Sequence, residues 1–351
     1  LTNALLEDEM VMRVGVPHTG GHLTGHAFEQ DFPVMVSASA FWNPEKKCFR
    51  IPEHTNLTEL DLALDSAGYT AMKLWQVKGK QDGVVAKAKV NEAELTQSWD
   101  SFIQGGQKIK QSTGAYLVAH ARDVKDIVIR TGIPEGQGVY FDAQGKSVID
   151  SSPRFKRGFE VAQKIRAQGL DAKINAWSNE WGESLKRGTV SVQMMGAWLG
   201  GHLQNWLAPN TSGLWRSTAL PERVATSWGG TFYAIPKKAV NKDKAWDLIQ
   251  HLTLNTRQQQ LAFEKYNAFP ALIAAQSGDF FSQPVAFLGG QKARLDWKAT
   301  AMQIKPTQVF RNDSVAEEIV NAELDLVLNK NKPIDQALKD AHRLVQRRAS
   351  R

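Results

Sequence analysis

Eleven tryptophans stand among the 351 residues. A flat apolar ring with one polar N–H is suited to covering the C–H face of a sugar, although many of the eleven must simply be core. Trp177 and Trp181 lie four apart, a spacing at which two side chains share a helical face. That spacing serves core packing as well as a platform, and core packing is the favoured reading. Glu180 beside them could accept charge-assisted hydrogen bonds from sugar hydroxyls, with a solvated surface carboxylate as the favoured reading. His18, His22 and His26 repeat at intervals of four, one face of a helix. Gly20, Gly21 and Gly25 oppose a helix there, and an oxygen- or sulfur-rich partner set is missing, so a polar loop is expected rather than a metal site. Cys48 is the only cysteine, which excludes an internal disulfide and a cysteine-based zinc cage. No residue pattern calls for a cofactor. A nucleophile motif of the Gly-x-Ser-x-Gly kind is absent, whereas 36 acidic residues leave room for the two carboxylates a glycosidase sets across its scissile bond.

The elements that must position these side chains are clearest from about residue 93 onward. Thr96 or Ser98 can cap a helix whose apolar positions Trp99, Phe102, Ile103 and Ile109 share a face. Ser152 caps another, with Pro153 in its first turn, Phe155, Phe159, Ala162 and Ile165 inward, and Gly169 at its end. Asn241 precedes a third, with Ala245, Leu248, Ile249 and Leu252 at helical spacing. Trp99 and Trp246 sit on these helix faces and are assigned to the core. Ser314 and Glu317 read as a capping box ahead of Ile319, Val320, Leu324 and Val327. A last amphipathic helix begins near Pro333. Strand-like runs lie between, at Tyr116 to Ala119, Val190 to Met194 and Thr231 to Ile235. This interleaving predicts an α/β protein. In the first 90 residues only a strand over Val34 to Ala40 and a helix over Leu57 to Leu64 are suggested.

A chain of this length is long for one core, so two domains are expected. No apolar run approaches the roughly 20 residues that span a bilayer. The N-terminus carries no basic segment followed by an apolar run, so any export signal is expected to have been removed or to lie outside this sequence. Forty-three Lys and Arg against 36 Asp and Glu give a net charge of +7. The basic residues are scattered and nucleic-acid motifs are absent, so a solvated basic surface is expected and no nucleic-acid partner.

Several segments follow one another in a recognisable order. Ser98-Trp99-Asp100-Ser101-Phe102 comes first, then the run from Lys186 to Met194, then Gly196-Ala197-Trp198. Ser227-Trp228-Gly229-Gly230-Thr231-Phe232-Tyr233-Ala234-Ile235-Pro236 and Asn241 to Trp246 come next, and Asp335 to Ala341 closes the series. In order and spacing the chain resembles the extracellular solute-binding proteins of carbohydrate ABC importers, the family that contains the maltose-binding protein. Its opening strand, long first helix and Asn-Lys-Asp segment have no recognisable counterpart here.

The resemblance implies a type II periplasmic-binding-protein fold, α/β in class, with two lobes and three crossings between them. The lobes are expected from residues 1–92 plus 231–300 and from 93–230 plus 301–351. It implies a monomeric receptor, periplasmic or cell-surface associated, that closes on a sugar or small oligosaccharide in its cleft and delivers it to the membrane permease subunits of the importer without catalysis. Trp198 then falls where the family places a cleft aromatic. Trp228, with Gly229 and Gly230, lies where the chain returns toward the other lobe, and glycine there lets backbone approach a ligand. Trp42 and Asn43 are the first-lobe candidates, with Phe310, Arg311 and Asn312 as a late contribution. Two alternatives stand beside this reading: the same fold binding an acidic ligand such as a sugar acid or a glycerol phosphate, and a secreted glycosidase.

Overall fold

Val192, Gln193, Met194, Met195 and Gly196 are all buried without alternation, the pattern of a strand covered on both faces. In the computed structural model this strand belongs to a three-stranded sheet. The structure describes residues 84–227, 232–305 and 307–349, and nearer the N-terminus the backbone of four short strands. The strands are β1 (Val14–Gly15), β2 (Phe41–Asn43), β3 (Cys48–Arg50), β4 (Met72–Val77), β5 (Val192–Gly196), β6 (Trp215–Thr218) and β7 (Phe232–Tyr233). Val34 to Ala40, Leu57 to Leu64, His18, His22 and His26 lie outside the described residues.

The chain divides into two compact units. The first takes Leu1–Thr70, Gly196–Asn205 and Ser227–Gln283; the second takes Ala71–Met195, Trp206–Thr226 and Pro284–Arg351. In the second, β4 runs between β5 and β6, antiparallel to β6 with Leu74 opposite Thr218 and Val77 opposite Trp215. The extended run at Tyr116 to Ala119 makes parallel bridges to Val190 on one side and Asp171 on the other. In the first unit β1 pairs antiparallel with β7, and β2 with β3.

The helices are α1 (Val84–Lys87), α2 (Glu92–Thr96), α3 (Trp99–Thr113), α4 (Ala121–Ile129), α5 (Pro153–Ala167), α6 (Asn179–Arg187), α7 (Leu199–His202), α8 (Lys242–Leu254), α9 (Thr256–Tyr266), α10 (Ala293–Ala301), α11 (Asp313–Lys330) and α12 (Ile334–Ala349). Ser98 caps α3 reciprocally: its hydroxyl accepts from the Ser101 N–H at 3.0 Å, and its own N–H donates to the Ser101 hydroxyl at 2.9 Å. Trp99, Phe102, Ile103 and Ile109 are buried as the spacing predicts. Phe155, Phe159, Ala162 and Ile165 of α5 are buried too, although Ser152 makes no side-chain capping bond. Pro153 lacks an N–H, which leaves that terminus one donor fewer to satisfy.

Two expectations fail for identifiable reasons. The proposed box of Ser314 and Glu317 does not form, because α11 begins at Asp313, whose carboxylate turns back to accept the Phe310 N–H at 2.8 Å. Glu317 instead points inward and pairs with Arg130 at 3.6 Å. Trp246 is 51% exposed, since Ala245, Leu248 and Ile249 already fill the buried face of α8 against Tyr233, Ile235, Ala239 and Leu252.

Candidate functional site

Trp198 follows β5 by two residues and stands as the N-cap of α7, in the first unit. Buried Ala197 and Leu199 hold the backbone on either side, while the indole is half-buried. The ring lies over Gly196: a β-carbon there would sit 2.3 Å from Nε1 and 2.7 Å from Cδ1, so only glycine admits this orientation. His202, one helical turn on, meets the indole edge to face, with ring centroids 5.1 Å apart. His202 was not singled out from the sequence, although its i+4 spacing from Trp198 carried the signal. Behind this turn, Gly201 backs onto the Tyr266 carbonyl, where a β-carbon would come within 2.5 Å of the oxygen.

Trp177 and Trp181 meet, but not along a helix face. Trp177 precedes the N-cap Ser178 and has a left-handed backbone, φ 69°. Ser178 organises the turn: its hydroxyl donates to the Asn175 carbonyl at 2.9 Å and accepts from the Trp181 N–H at 3.1 Å. The two indoles lie 5.1 Å apart at 49°. Trp181 is 1% exposed, and its ring N–H donates to Gln193 Oε1 on β5 at 2.9 Å. Trp177 is half-buried, and Glu180, in the first turn of α6, is exposed.

Phe310 packs on Phe141 with centroids 5.4 Å apart and lies against Gly138, where a β-carbon would be 2.8 Å from its ring. It pins the hairpin that closes through the Phe141–Ser147 bridge. Arg311 is exposed, and Asn312 is the N-cap of α11 without a side-chain capping bond. Trp42 and Asn43 lie on β2, their backbones opposite Phe49 and Cys48. Trp228, Gly229 and Gly230 lie outside the described residues. Within the units the structure therefore brings together Trp177 with Trp181, and Trp198 with His202. Among the described residues no group of three or more His, Cys, Asp or Glu is placed to hold a metal ion, and no helix is long and apolar enough to cross a membrane.

Solved structures with this architecture are described as solute-binding proteins, several of them sugar-binding. A family 1 extracellular solute-binding protein superposes with a TM-score of 0.67 at 18% identity, covering 80% of this chain and 72% of that one. The ABC-transporter-associated binding protein of B. animalis subsp. lactis, solved with β-1,6-galactobiose, gives 0.67 at 22% identity, covering 79% and 71%. The fold is thus the type II periplasmic-binding-protein fold, α/β as the interleaved helices and strands predict. A bacterial extracellular solute-binding family model matches residues 34–289, and the chain belongs to that family. Among characterised relatives, the lactose-binding protein of Rhizobium radiobacter is 26% identical over 253 residues, 69% of this chain; the chain spans 58% of that relative's length.

Proposed function

We propose that this chain is the receptor of a carbohydrate ABC importer: it captures a sugar or small oligosaccharide without altering it and presents it to the membrane permease. The seating of the Trp198 indole over Gly196, at the end of β5 in a solute-binding chain, carries this reading. A half-buried indole offers apolar area for a sugar's C–H face. Trp177 supplies a second such surface; its left-handed backbone costs roughly 1 to 3 kcal/mol, a strain that structures retain where a side chain must be aimed. The lactose- and galactobiose-binding descriptions of its relatives support a sugar with a galactose unit.

Titration calorimetry against lactose, β-1,6-galactobiose, neutral maltose and acidic sugars tests the reading, with the recovered sugar checked for chemical integrity. Saturable binding of an intact neutral sugar is expected. Trp198→Ala should weaken it by about 1 to 3 kcal/mol, and Gly196→Ala should do the same by displacing the indole. Cleaved sugar would sink the receptor assignment in favour of a glycosidase, and selective binding of acidic sugars would move the ligand class.

A further inference from the structure

Gln193 is 2% exposed as the second residue of β5, where its neighbours Val192, Met194 and Met195 are all buried. A buried primary amide brings two donor hydrogens and an acceptor oxygen that must be satisfied, so a methionine or leucine would fill the space at lower desolvation cost. Its acceptor has one partner of good geometry, the Trp181 indole N–H at 2.9 Å. Its amide nitrogen reaches the Met194 carbonyl only at 3.4 Å. The amide also faces the Asp123 carboxyl, while the side-chain oxygen is given to the Trp181 indole.

Trp181 in turn is the ring against which Trp177 rests, at 5.1 Å. Trp177 is held in a left-handed conformation by the Asn175–Ser178 turn and by this contact. An indole whose N–H is tied to a strand cannot slide or rotate in its plane, so it presents a fixed face to its neighbour. We infer that Gln193 is a positioning residue: it locks Trp181, and Trp181 sets the orientation of Trp177. This rests on the reading of Trp177 as a ligand surface only for its effect on binding; the orientation itself can be read without ligand.

The test uses the full chain labelled with 5-fluorotryptophan, the Trp177 resonance being assigned by Trp177→Phe. Gln193→Met keeps the volume and removes the acceptor; it should shift or broaden the Trp177 line while leaving that of exposed Trp246, in the other unit, in place. Trp181→Phe removes the indole N–H and keeps an aromatic ring. Adding Gln193→Met to it should move the Trp177 line no further, and this pair decides the matter if Gln193→Met alone folds poorly. An unmoved Trp177 line in folded Gln193→Met, or an equal further shift in the Trp181→Phe background, overturns the inference. With lactose as probe, Trp177→Ala and Gln193→Met should each weaken binding about 3- to 10-fold, and the double variant should lose no more than the worse single one. A loss in Trp177→Ala without one in Gln193→Met also overturns the inference. No loss in Trp177→Ala, with the fluorine line still moved by Gln193→Met, overturns the ligand role of Trp177 and leaves the positioning role standing.

Discussion

His120 and Asp123, three residues apart at the start of α4, are pushed by burial in opposite directions. His120 caps the helix, its Nδ1 accepting from the Arg122 N–H at 3.1 Å. Burial first, and then the nearby charge of Arg122, lower it to about 4, with Arg166 adding to the effect and Asp171 and Asp325 opposing it. Asp123 is raised to about 7 by burial and then by the charge of Asp126, against the pull of Arg122, Lys125 and the Gln193 amide. For the histidine the unfolded chain holds the proton that the folded chain lacks, so its contribution to stability rises from about pH 4 to 6.5. For the carboxyl the folded chain holds the extra proton, so its contribution falls from about pH 4 to 7. The two ramps oppose each other and flatten the wild-type profile. Asp123→Asn should gain stability relative to wild type as pH rises toward 7. His120→Asn, which keeps a capping side chain, should show its relative gain near pH 4 and lose it by pH 7. Urea midpoints across this range check both, and ramps of the same sign in the two variants would refute the assignment.

At the scale of elements, the same residue type meets opposite fates on two helices. Trp99 opens α3 at 4% exposure and packs edge to face on Phe102, with centroids 5.9 Å apart. Trp246 lies on α8 with half its surface in solvent. Trp99→Ala should therefore cost about 3 to 5 kcal/mol by leaving a cavity. Trp246→Gln should stay within about 0.5 kcal/mol. Denaturant unfolding measures both, and a large loss at Trp246 would mean that its ring is covered. Helical spacing places both tryptophans near an apolar face, but on α8 that face is taken by Ala245, Leu248 and Ile249, with Leu252 packed against them, and Trp246 falls outside it. The start of α11 shows the converse limit. Ser314 and Glu317 have the spacing of a capping box, and the pull of Arg130 on Glu317 is invisible in a local window.

For the whole molecule, the sheet of the second unit depends on a strand from far upstream. β4 lies between β5 and β6, which follow it by more than a hundred residues. Its loss would leave β6 without its ladder partner and β5 with only the bonds its first residues make to the run at Tyr116 to Ala119. Trp75 pairs with Ser217 at the middle of that strand, and a proline there removes a ladder donor between two partners. Trp75→Pro should destabilise by about 1 to 3 kcal/mol through the lost ladder bond and the partner it leaves unsatisfied, seen as a lowered unfolding midpoint; a sharp transition at an unchanged midpoint would place Met72–Val77 outside the sheet.

The order of motifs, the helical periods of α3, α5, α11 and α12, and the Gly196-Ala197-Trp198 segment were all legible in the sequence, and with them the family and its fold. They are legible because capping and amphipathic spacing are energies of neighbouring residues, complete within a turn or two of chain. The tertiary structure alone decided that Trp177 leaves the helix in a left-handed turn while Trp181 goes into the core, that Gln193 receives the buried indole N–H, and that Met72–Val77 becomes the middle strand. Each of those outcomes turns on which distant segment covers a side chain or completes a ladder. Burial and pairing across tens of residues are properties of the packed whole, and no local window contains them.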